Sequence, residues 1–433
     1  MRFLGVGDCA DLAALYLRLA EDGHDVKVFI GHPLCQDTLS GLIDRVTNWE
    51  AELDWVRAAG GDGCILFENV GAGRGELQDR LRRDGLNVIG SSAYGARLEN
   101  DRAYAQQILA ELGLSTAAVF EFSDANEAKR FIDLRPARYV LKSNGPDAPS
   151  FVGRHSTGRD VRALLESGAK AAGSSFILMD FVDGIEMGVG AYFNGADFLG
   201  PACLDWEHKR FFPGDLGELT GEMGTVVTYS RTKVFFDRTL AKMTPLLREN
   251  GYCGYINLNT MVNERGIWPL EFTCRFGYPG YAILEPLQRT SWADLFRSML
   301  SRSTLRFETE PGFAVGTVVT TPPFPYYRDA VPEPVGLPIL FDGELLAQER
   351  KNLHYGEVGL KNGVLLTSGM SGYTLVVTGT GETIESARDA ANALADKVVV
   401  TNARYRRDIG TRLIEGDFAR IQAWGLLDLL AGA

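Results

Sequence analysis

Patterns typical of strands and of helices alternate near the start of the chain, and this alternation restricts the possible folds more than any other feature. Residues 3–7, 26–30, 63–67 and 87–90 are short apolar runs, and residues 10–20 have the spacing of an amphipathic helix. Strands joined by helices pair in parallel, because each helix returns the chain along one face of the sheet. We therefore predict a small parallel sheet covered by helices.

The rest of the chain predicts further subdomains of mixed α/β (α+β) type. A chain of 433 residues exceeds one compact core and usually forms roughly two to four subdomains. Period-two alternation at 187–229 predicts antiparallel sheet, and a β-rich segment begins near residue 310. Further strands are expected at 117–122, 139–142, 176–179, 255–262 and 267–272. Helices are expected at 101–112, 160–172, 234–249 and 383–398.

Charge and cysteine usage exclude several classes of protein. The net charge is -12 and basic residues form no run, which argues against a broad nucleic-acid surface. No stretch approaches the roughly 18 apolar residues of a membrane span, and residues 1–7 suggest a buried strand rather than a signal peptide. The six cysteines lack CxxC spacing, so we expect reduced thiols and a cytoplasmic protein.

The most specific chemical signal is a strand that ends in an acid. In residues 268–277 the strand reaches Glu271, and Arg275 follows four residues later. Buried strands rarely carry an acid unless it is paired or bound to metal. A carboxylate there can hold Mg²⁺ against ATP phosphates, because Mg²⁺ binds through one or two carboxylates plus phosphate oxygens. The alternative is an exposed strand end at which Glu271 pairs with Arg275.

Two other segments carry candidate polar groups. Residues 208–224 combine adjacent cations Lys209 and Arg210 with Asp215 and several glycines, a combination that binds anions through side chains and backbone N–H groups. A solvated hairpin loop is the alternative. Residues 405–410 read Tyr-Arg-Arg-Asp-Ile-Gly, and their alternative is a charge cluster at a helix end.

In this order, the three segments resemble the phosphoribosylamine–glycine ligase family of the ATP-grasp superfamily, whose members carry HKR…GD, LEFNCRFGDPE and YRRDIG motifs. Residues 98–105, 140–145 and 179–186 are similar to further family motifs. The resemblance implies an ATP-grasp fold with an N-terminal Rossmann-like preATP-grasp domain at 1–98. It also implies an ATP-grasp core at 99–310, with a lid at about 116–182, and a C-terminal β-rich domain at 311–433.

The resemblance also implies roles for single residues. The nucleotide site would use Lys142 and Arg102 on the phosphates, the backbone of Met179, Asp180 and Phe181 on adenine, and Glu186 on ribose. The metal site would use Glu271, Thr273 and Asn259. The catalytic groups would be Arg275, Lys209, Arg210 and Asp215. In isolation, Lys142 would be interpreted as a surface lysine, and Asp180 and Glu186 as solvated turn acids.

The reaction implied by the resemblance needs ATP and Mg²⁺ or Mn²⁺. A carboxylate is phosphorylated to an acyl phosphate, and an amine then displaces the phosphate to give an amide and ADP. Positioning and charge neutralisation account for most of this catalysis, so no nucleophilic side chain is required. The expected partners are a small-molecule carboxylate and an amine, with no membrane or nucleic acid, and the protein is expected to be a monomer or a homodimer.

Four positions depart from the family pattern. After the first strand, residues 5–12 lack the family's Arg-Glu-His, which helps to bind phosphoribosylamine. The expected lid at 146–153 has two prolines and no lysine, and Arg154 or Arg159 is the substitute cation. Thr273 replaces a metal-binding asparagine, so Asn257 or Asn259 is expected to add an oxygen. The last departure concerns the two acids of the family's GDPE segment, which are replaced here by Tyr278 and Gly280.

These departures leave three functions open. One is the family reaction itself, which joins glycine to phosphoribosylamine in purine synthesis. Another is a paralogue that performs the same ATP-driven amide formation on a different acid or amine, and the missing Arg-Glu-His favours it. The third is a non-catalytic nucleotide-binding protein, which the retained Lys142, Glu186 and Glu271 oppose.

Overall fold

The computed structural model describes residues 1–71, 73–143, 150–168, 175–303 and 307–429. Residues 146–149 of the expected lid, and the end of the helix predicted at 160–172, lie outside these ranges. Within them, no helix is long and apolar enough to cross a membrane.

An N-terminal sheet forms from the alternating segments at the start of the chain. Its strands are Arg2–Gly7 (β1), Asp25–Ile30 (β2), Asp44–Val46 (β3), Gly63–Phe67 (β4) and Val88–Ile89 (β5). The helices are Ala13–Glu21 (α1), Leu53–Arg57 (α2), Arg74–Arg83 (α3) and Ala93–Asn100 (α4). The strands are parallel in the order β3-β2-β1-β4-β5, which confirms the predicted sheet. The winding reverses between β1 and β4, where α/β sheets commonly bind ligands.

A lid sheet follows helix Arg102–Glu111 (α5). Its strands are Val119–Phe122 (β6), Tyr139–Ser143 (β7), Phe151–Val152 (β8) and Phe176–Asp180 (β9). Helices Ala125–Leu134 (α6) and Arg159–Glu166 (α7) accompany them. The strand order is β6-β9-β7-β8 and the pairs are antiparallel. Lys142 lies near the end of β7, opposite Ile177 of β9.

The central part of the chain consists mainly of long antiparallel strands. They are Ile185–Asn194 (β10), Phe198–Glu207 (β11), Arg210–Phe212 (β12), Leu216–Leu219 (β13), Gly224–Thr228 (β14), Cys253–Asn263 (β15) and Gly266–Thr273 (β16). The helices are Lys233–Arg238 (α8), Thr244–Glu249 (α9), Gly280–Leu284 (α10) and Trp292–Ser301 (α11). Strands β12 and β13 pair as a separate hairpin.

The C-terminal part contributes strands to the same central sheet. Its strands are Phe313–Thr320 (β17), Pro338–Phe341 (β18), Leu353–Tyr355 (β19), Val358–Lys361 (β20), Val364–Thr367 (β21), Tyr373–Gly381 (β22) and Val398–Val399 (β23). Its helices are Ala347–Lys351 (α12), Ile384–Ala395 (α13) and Phe418–Ala423 (α14). The central sheet runs β16-β15-β10-β11-β14-β17-β22-β19. Hydrogen bonding therefore continues across residue 310.

Two predicted helices differ from the observed ones. The helix expected at 234–249 is split into α8 and α9 by a 3-10 turn at Leu240–Met243. Pro245 explains the restart, because proline lacks the N–H of a helix interior but fits a first turn. Helix α1 begins at Ala13 rather than at Ala10, whose φ of 65° is left-handed.

Candidate active site

Lys142 lies inside the protein, between the lid sheet and the central sheet. Its residue is only 8% exposed, and its Nζ is 3.8 Å from a carboxylate oxygen of Glu271. Burial lowers the pKa of Lys142, an effect that the nearby charge of Glu271 opposes. The interpretation of Lys142 as a surface lysine is therefore wrong, and the side chain is available to a ligand in the interior.

Glu271 collects three cations at the end of β16. Arg102 donates to its Oε2 at 2.6 Å, and the Nζ atoms of Lys142 and Lys209 lie 3.8 and 3.7 Å from its oxygens. Burial alone would raise the pKa of Glu271, but Lys209, Lys142 and Arg102 together hold it well below its ordinary value. The carboxylate is therefore ionised. The alternative pairing of Glu271 with Arg275 is wrong, because Arg275 bonds elsewhere.

The strand register places the expected metal-binding residues on one face of the central sheet. Asn259 of β15 is directly opposite Glu271, and Asn257 is opposite Thr273. Paired residues of antiparallel strands point to the same side. Carboxylate, amide and hydroxyl oxygens are ligands suited to Mg²⁺. In the described ranges no three His, Cys, Asp or Glu side chains could together hold a metal, so an ion here would also need ligand oxygens.

Glu186 and Lys209 join this face from β10 and from the end of β11. Lys209 Nζ is 3.1 Å from Glu186 and 2.8 Å from Glu207, and Asn259 donates to Glu186 at 2.7 Å. Burial opposes the charge of Lys209, but Glu186, Glu207 and Glu271 raise its pKa well above the usual value. Lys209 is thus a charged ammonium group held between three acids. Sequence reasoning missed Glu207, although its position two residues before Lys209 places both on one face of an extended segment.

The backbone of Met179, Asp180 and Phe181 is only partly available to adenine. The N–H of Asp180 donates to the Ala118 carbonyl at 2.9 Å, and the N–H of Phe181 donates to the Arg138 carbonyl at 3.0 Å. The Arg138 guanidinium also lies 3.3 Å from the centre of the Phe181 ring. An adenine edge bound at this segment would therefore use its other backbone groups.

Charged side chains of the lid mostly pair within the lid. Arg135 donates to both carboxylate oxygens of Asp180, at 2.5 and 2.7 Å. Arg154 and Arg159 are both exposed, and the Arg154 N–H donates to Asp160. Both arginines therefore lie at the surface of the lid.

Arg210 and Asp215 are held by the C-terminal tail. Buried Arg406 donates to the Arg210 carbonyl and to Asp215, each at 2.9 Å, and pairs with Asp408 at 2.8 Å. Arg210 itself donates to the Gly217 carbonyl at 2.9 Å. These contacts fix the β12–β13 hairpin against the tail, whereas Lys209 points to Glu271. The alternative of a charge cluster at a helix end is wrong for the tail, because Arg406 is 1% exposed.

Arg275 links the end of β16 to helix α4. Its Nε donates to Glu99 at 3.0 Å, and the Cys274 N–H donates to the other oxygen of Glu99 at 2.7 Å. The charge of Glu99 keeps the pKa of Arg275 above its usual value. Burial opposes this effect more weakly, and the charge of Asp11 adds to it. Arg275 is therefore a half-buried cation whose second acidic neighbour, Asp11, belongs to the N-terminal domain.

The crevice at the ends of β1 and β4 is acidic. Asp8 accepts hydrogen bonds from Asn69 at 2.8 Å and from Arg74 at 3.0 Å. Burial raises the pKa of Asp11, against the opposing charge of Arg275. Acids thus occupy the position at which the family's Arg-Glu-His segment follows the first strand.

Glu68, at the end of β4, adds a third acid to this crevice. It accepts hydrogen bonds from the N–H groups of Asp11 and Leu12, and from the Tyr16 hydroxyl at 2.8 Å. Burial, followed by the charge of Asp11, raises the pKa of Glu68 to about 8. Nothing in the sequence around Glu68 indicated this role.

Tyr278 stands where the family pattern has an acid. Its ring packs edge-on against Tyr373, with centroids 5.3 Å apart. Its hydroxyl is buried without a hydrogen-bond partner in the described part of the chain. Gly280 begins α10. A phenol and a glycine therefore replace two carboxylates near Arg275.

Known proteins resemble this chain in sequence. The family model "Phosphoribosylglycinamide synthetase, ATP-grasp (A) domain" matches residues 100–281. Phosphoribosylamine–glycine ligase of Pseudomonas aeruginosa is 29% identical over 96% of this chain and 98% of its own. The ligase of that name from Rhizobium meliloti is 28% identical over 97% of this chain and 100% of its own.

Solved structures show the same fold. The phosphoribosylamine–glycine ligase of Thermotoga maritima superposes with a TM-score of 0.73 at 23% identity, over 94% of this chain and 100% of that one. A biotin carboxylase from Campylobacter jejuni, at 14% identity, covers 96% of each chain with a TM-score of 0.62. By these matches residues 100–281 form an ATP-grasp domain, the chain is similar to phosphoribosylamine–glycine ligases over nearly its whole length, and it is an ATP-dependent, ADP-forming carbon–nitrogen ligase.

Proposed function

We propose that this ligase joins a small carboxylate to an amine other than phosphoribosylamine, through an acyl phosphate made with ATP and Mg²⁺. The observation that carries the proposal is the convergence of Arg102, Lys142 and Lys209 on Glu271. These side chains come from a helix and from two different sheets. Such a convergence of one buried and two half-buried cations suits a phosphate chain better than it suits a purely structural role.

The cations bind and orient the phosphates of ATP. The carboxylate of Glu271 lies within 4 Å of Arg102, Lys142 and Lys209. A triphosphate bound there would give these cations a second anionic partner besides Glu271. Glu271, Asn259 and Thr273 would hold Mg²⁺, and their oxygen donors fit that ion. When bound, Mg²⁺ supplies charge neutralisation at the phosphates.

Chemistry then proceeds in two displacements. An oxygen of the substrate carboxylate attacks the terminal phosphorus and ADP leaves. The neutral amine nitrogen attacks the resulting acyl carbon, the bond from carbon to the phosphate oxygen breaks, and the nitrogen loses a proton to the departing phosphate as the amide forms. Arg275, fixed by Glu99, is placed to orient the carboxylate substrate beside the phosphates. Orientation and electrostatic stabilisation are sufficient for such transfers.

The acidic crevice supports a different amine. The cluster at the ends of β1 and β4 consists of Asp8, Asp11 and Glu68. Burial raises the pKa of Asp11, the charge of Arg275 opposes this, and the charge of Asp8 raises it further. A phosphorylated amine entering this crevice would meet carboxyl groups in place of the cations of the family's segment, and the nearby Arg74 is already paired with Asp8, so its phosphate would lack charged donors there. The family reaction itself remains the second candidate, because the similarity to the Pseudomonas ligase covers 96% of this chain.

Release of ADP with candidate substrates tests the proposal. Wild type, Lys142→Met and the exposed control Lys233→Met are incubated with ATP, Mg²⁺, a set of carboxylates and a set of amines that includes phosphoribosylamine. We expect amine-dependent ADP release by wild type and Lys233→Met, and a loss of roughly a hundredfold or more in Lys142→Met. If glycine with phosphoribosylamine is the one pair that supports turnover, the second candidate is correct. If no pair supports turnover while ATP binds, the protein is not a ligase of this kind.

A further inference from the structure

Two buried acids beside the proposed phosphate site leave carboxylate oxygens without partners. Asp205, in β11, is 6% exposed, and Glu222, between β13 and β14, is 4% exposed. In the part of the chain that the structure describes, Oδ1 of Asp205 and Oε1 of Glu222 are buried and accept no hydrogen bond. A buried carboxylate oxygen without a donor costs roughly 1–3 kcal/mol or more, so such atoms call for a missing partner.

The local structure makes room for Asp205 on the ligand-facing side of the central sheet. Asp205 pairs with Gly188 of β10, and a Cβ on Gly188 would lie 2.1 Å from its Oδ1. Glycine at this position is therefore required by the carboxylate. Gly188 also pairs with Asn259, which pairs with Glu271. Asp205 consequently lies in the same cross-strand row as the proposed metal-binding residues, and Asn257 donates to its Oδ2 at 2.6 Å.

Glu222 is anchored by backbone hydrogen bonds beside the proposed phosphate site. Its N–H donates to the Tyr373 hydroxyl at 2.9 Å, and Tyr373 packs against Tyr278. The burial of Glu222, then the charges of Glu207 and Asp205, raise its pKa well above the usual value, with Lys209 opposing. The N–H of Met223 donates to the His208 carbonyl at 2.8 Å, so Glu222 lies beside the segment that follows Glu207.

Acids outnumber cations across the combined cluster. The acids are Glu186, Asp205, Glu207, Glu222 and Glu271, and the cations are Arg102, Lys142 and Lys209. Burial, followed by the charge of Glu207, raises the pKa of Asp205 to about 7. Without a ligand, this excess negative charge favours protonated acids. A cationic ligand would replace those protons and supply the missing donors.

We propose that Asp205 and Glu222 form an ammonium-binding subsite that holds the amino group of the amine substrate next to the phosphates. This inference rests on the proposed function and adds the chemical class of the amine: a primary amine that is cationic in solution. The two unpartnered oxygens are acceptors for its N–H groups, and Glu207 and Glu186 strengthen the negative potential. The position beside Lys209 brings the nitrogen close to the place where an acyl phosphate would form.

An ammonium group fits these atoms better than a metal ion. No three His, Cys, Asp or Glu side chains in the described ranges could together hold a metal, and Asn257 presents its amide N–H to Asp205 rather than its oxygen. An ammonium group needs one acceptor for each N–H that it donates. Mg²⁺ instead requires about six oxygens near ideal octahedral positions. The subsite therefore selects a cation that donates hydrogen bonds.

Thermal melting with simple cations tests this subsite without knowledge of the substrate. Wild type, Glu222→Gln, Asp205→Asn and the control Glu218→Gln, whose exposed acid lies in β13, are melted in ammonium chloride, methylammonium chloride or tetramethylammonium chloride at equal ionic strength. Tetramethylammonium carries the same charge but donates no hydrogen bond. We expect ammonium and methylammonium to raise the melting temperature of wild type and Glu218→Gln by about 2 °C, as a ligand at roughly tenfold its Kd would. The two subsite variants should not respond.

Each other outcome has a definite meaning. Equal responses to all three salts, no response in wild type, or an unchanged response in both subsite variants would overturn the ammonium subsite. Mg²⁺ alone reproducing the selective shift would replace it with a metal site. Melting of the same proteins with ATP and Mg²⁺ separates the two proposals. If ATP raises the melting temperature of wild type but ammonium does not, only the subsite is refuted. If ATP leaves the melting temperature unchanged, the proposed function is refuted. The two variants remove acids from different segments of the chain, so failure of one to fold leaves the other informative.

Discussion

Replacing Glu271 with glutamine removes one charge from the centre of the proposed site. Arg102, Lys142 and Lys209 approach its carboxylate at 2.6, 3.8 and 3.7 Å. A single pair at about 4 Å carries roughly 4 kcal/mol before desolvation is considered, and desolvation offsets much of this. Because the side chain is 34% exposed, solvent screening lowers it further, and we expect Glu271→Gln to cost about 1–2 kcal/mol of folding stability.

The effect on catalysis should be larger than the effect on stability. Loss of the carboxylate removes the charged ligand proposed for Mg²⁺, and we expect ADP release to fall by about a hundredfold or more, which corresponds to about 2.7 kcal/mol of transition-state stabilisation. ATP should still bind, because the three cations remain. The assays are amine-dependent ADP release, calorimetric binding of ATP, and thermal melting, with Glu264→Gln on the exposed β15–β16 turn as the control. Turnover within threefold or so of wild type would refute the metal assignment.

Three other changes test separate parts of the structure. Arg406→Met should lower the free energy of unfolding by about 3–5 kcal/mol, because it leaves Asp215 and Asp408 without their buried partner. The control Arg407→Met, at an exposed neighbour, should change this free energy by less than about 1 kcal/mol. Denaturant titration measures both. Wild type should lose stability as pH rises from about 5 to 8, because Glu68 keeps its proton in the folded state up to a pKa of about 8 while the unfolded chain releases it near 4.5. Glu68→Gln should flatten that pH dependence in melting experiments, and an unchanged slope would contradict the assignment. Gly188→Ala should destabilise the protein by about 1–3 kcal/mol, since its Cβ would overlap Asp205; recovery in the double variant with Asp205→Ala would show that the carboxylate is the cause.

Local patterns in the sequence were sufficient for the strands that build the site. The run 267–272 predicted a strand ending at an acid, and β16 spans Gly266–Thr273 with Glu271 near its end. The first-domain alternation likewise predicted a parallel sheet, because apolar runs of this length between helices have few other arrangements. The order of the motifs along the chain predicted the similarity to phosphoribosylamine–glycine ligases.

Pairings between distant residues were beyond the same reasoning. Arg275 was expected to act with or near Glu271, but it bonds to Glu99, 176 residues away. Arg406 and Asp215 are separated by 191 residues, and neither position carries a pattern that would predict burial. The raised pKa of Glu68 likewise depends on packing around β4. Such features follow from tertiary contact, which hydrophobic periodicity does not encode.

Transfer of oxygen from the carboxylate to phosphate tests the central claim most directly. Once ADP release has identified a substrate pair, the carboxylate is supplied with both oxygens as ¹⁸O, and the released phosphate and the amide are examined by mass spectrometry. An acyl-phosphate route predicts one ¹⁸O atom in each molecule of phosphate and one in the amide for each ADP formed. Phosphate without ¹⁸O, with ADP formed at the same rate, would show that water rather than the carboxylate attacks ATP and would contradict the account.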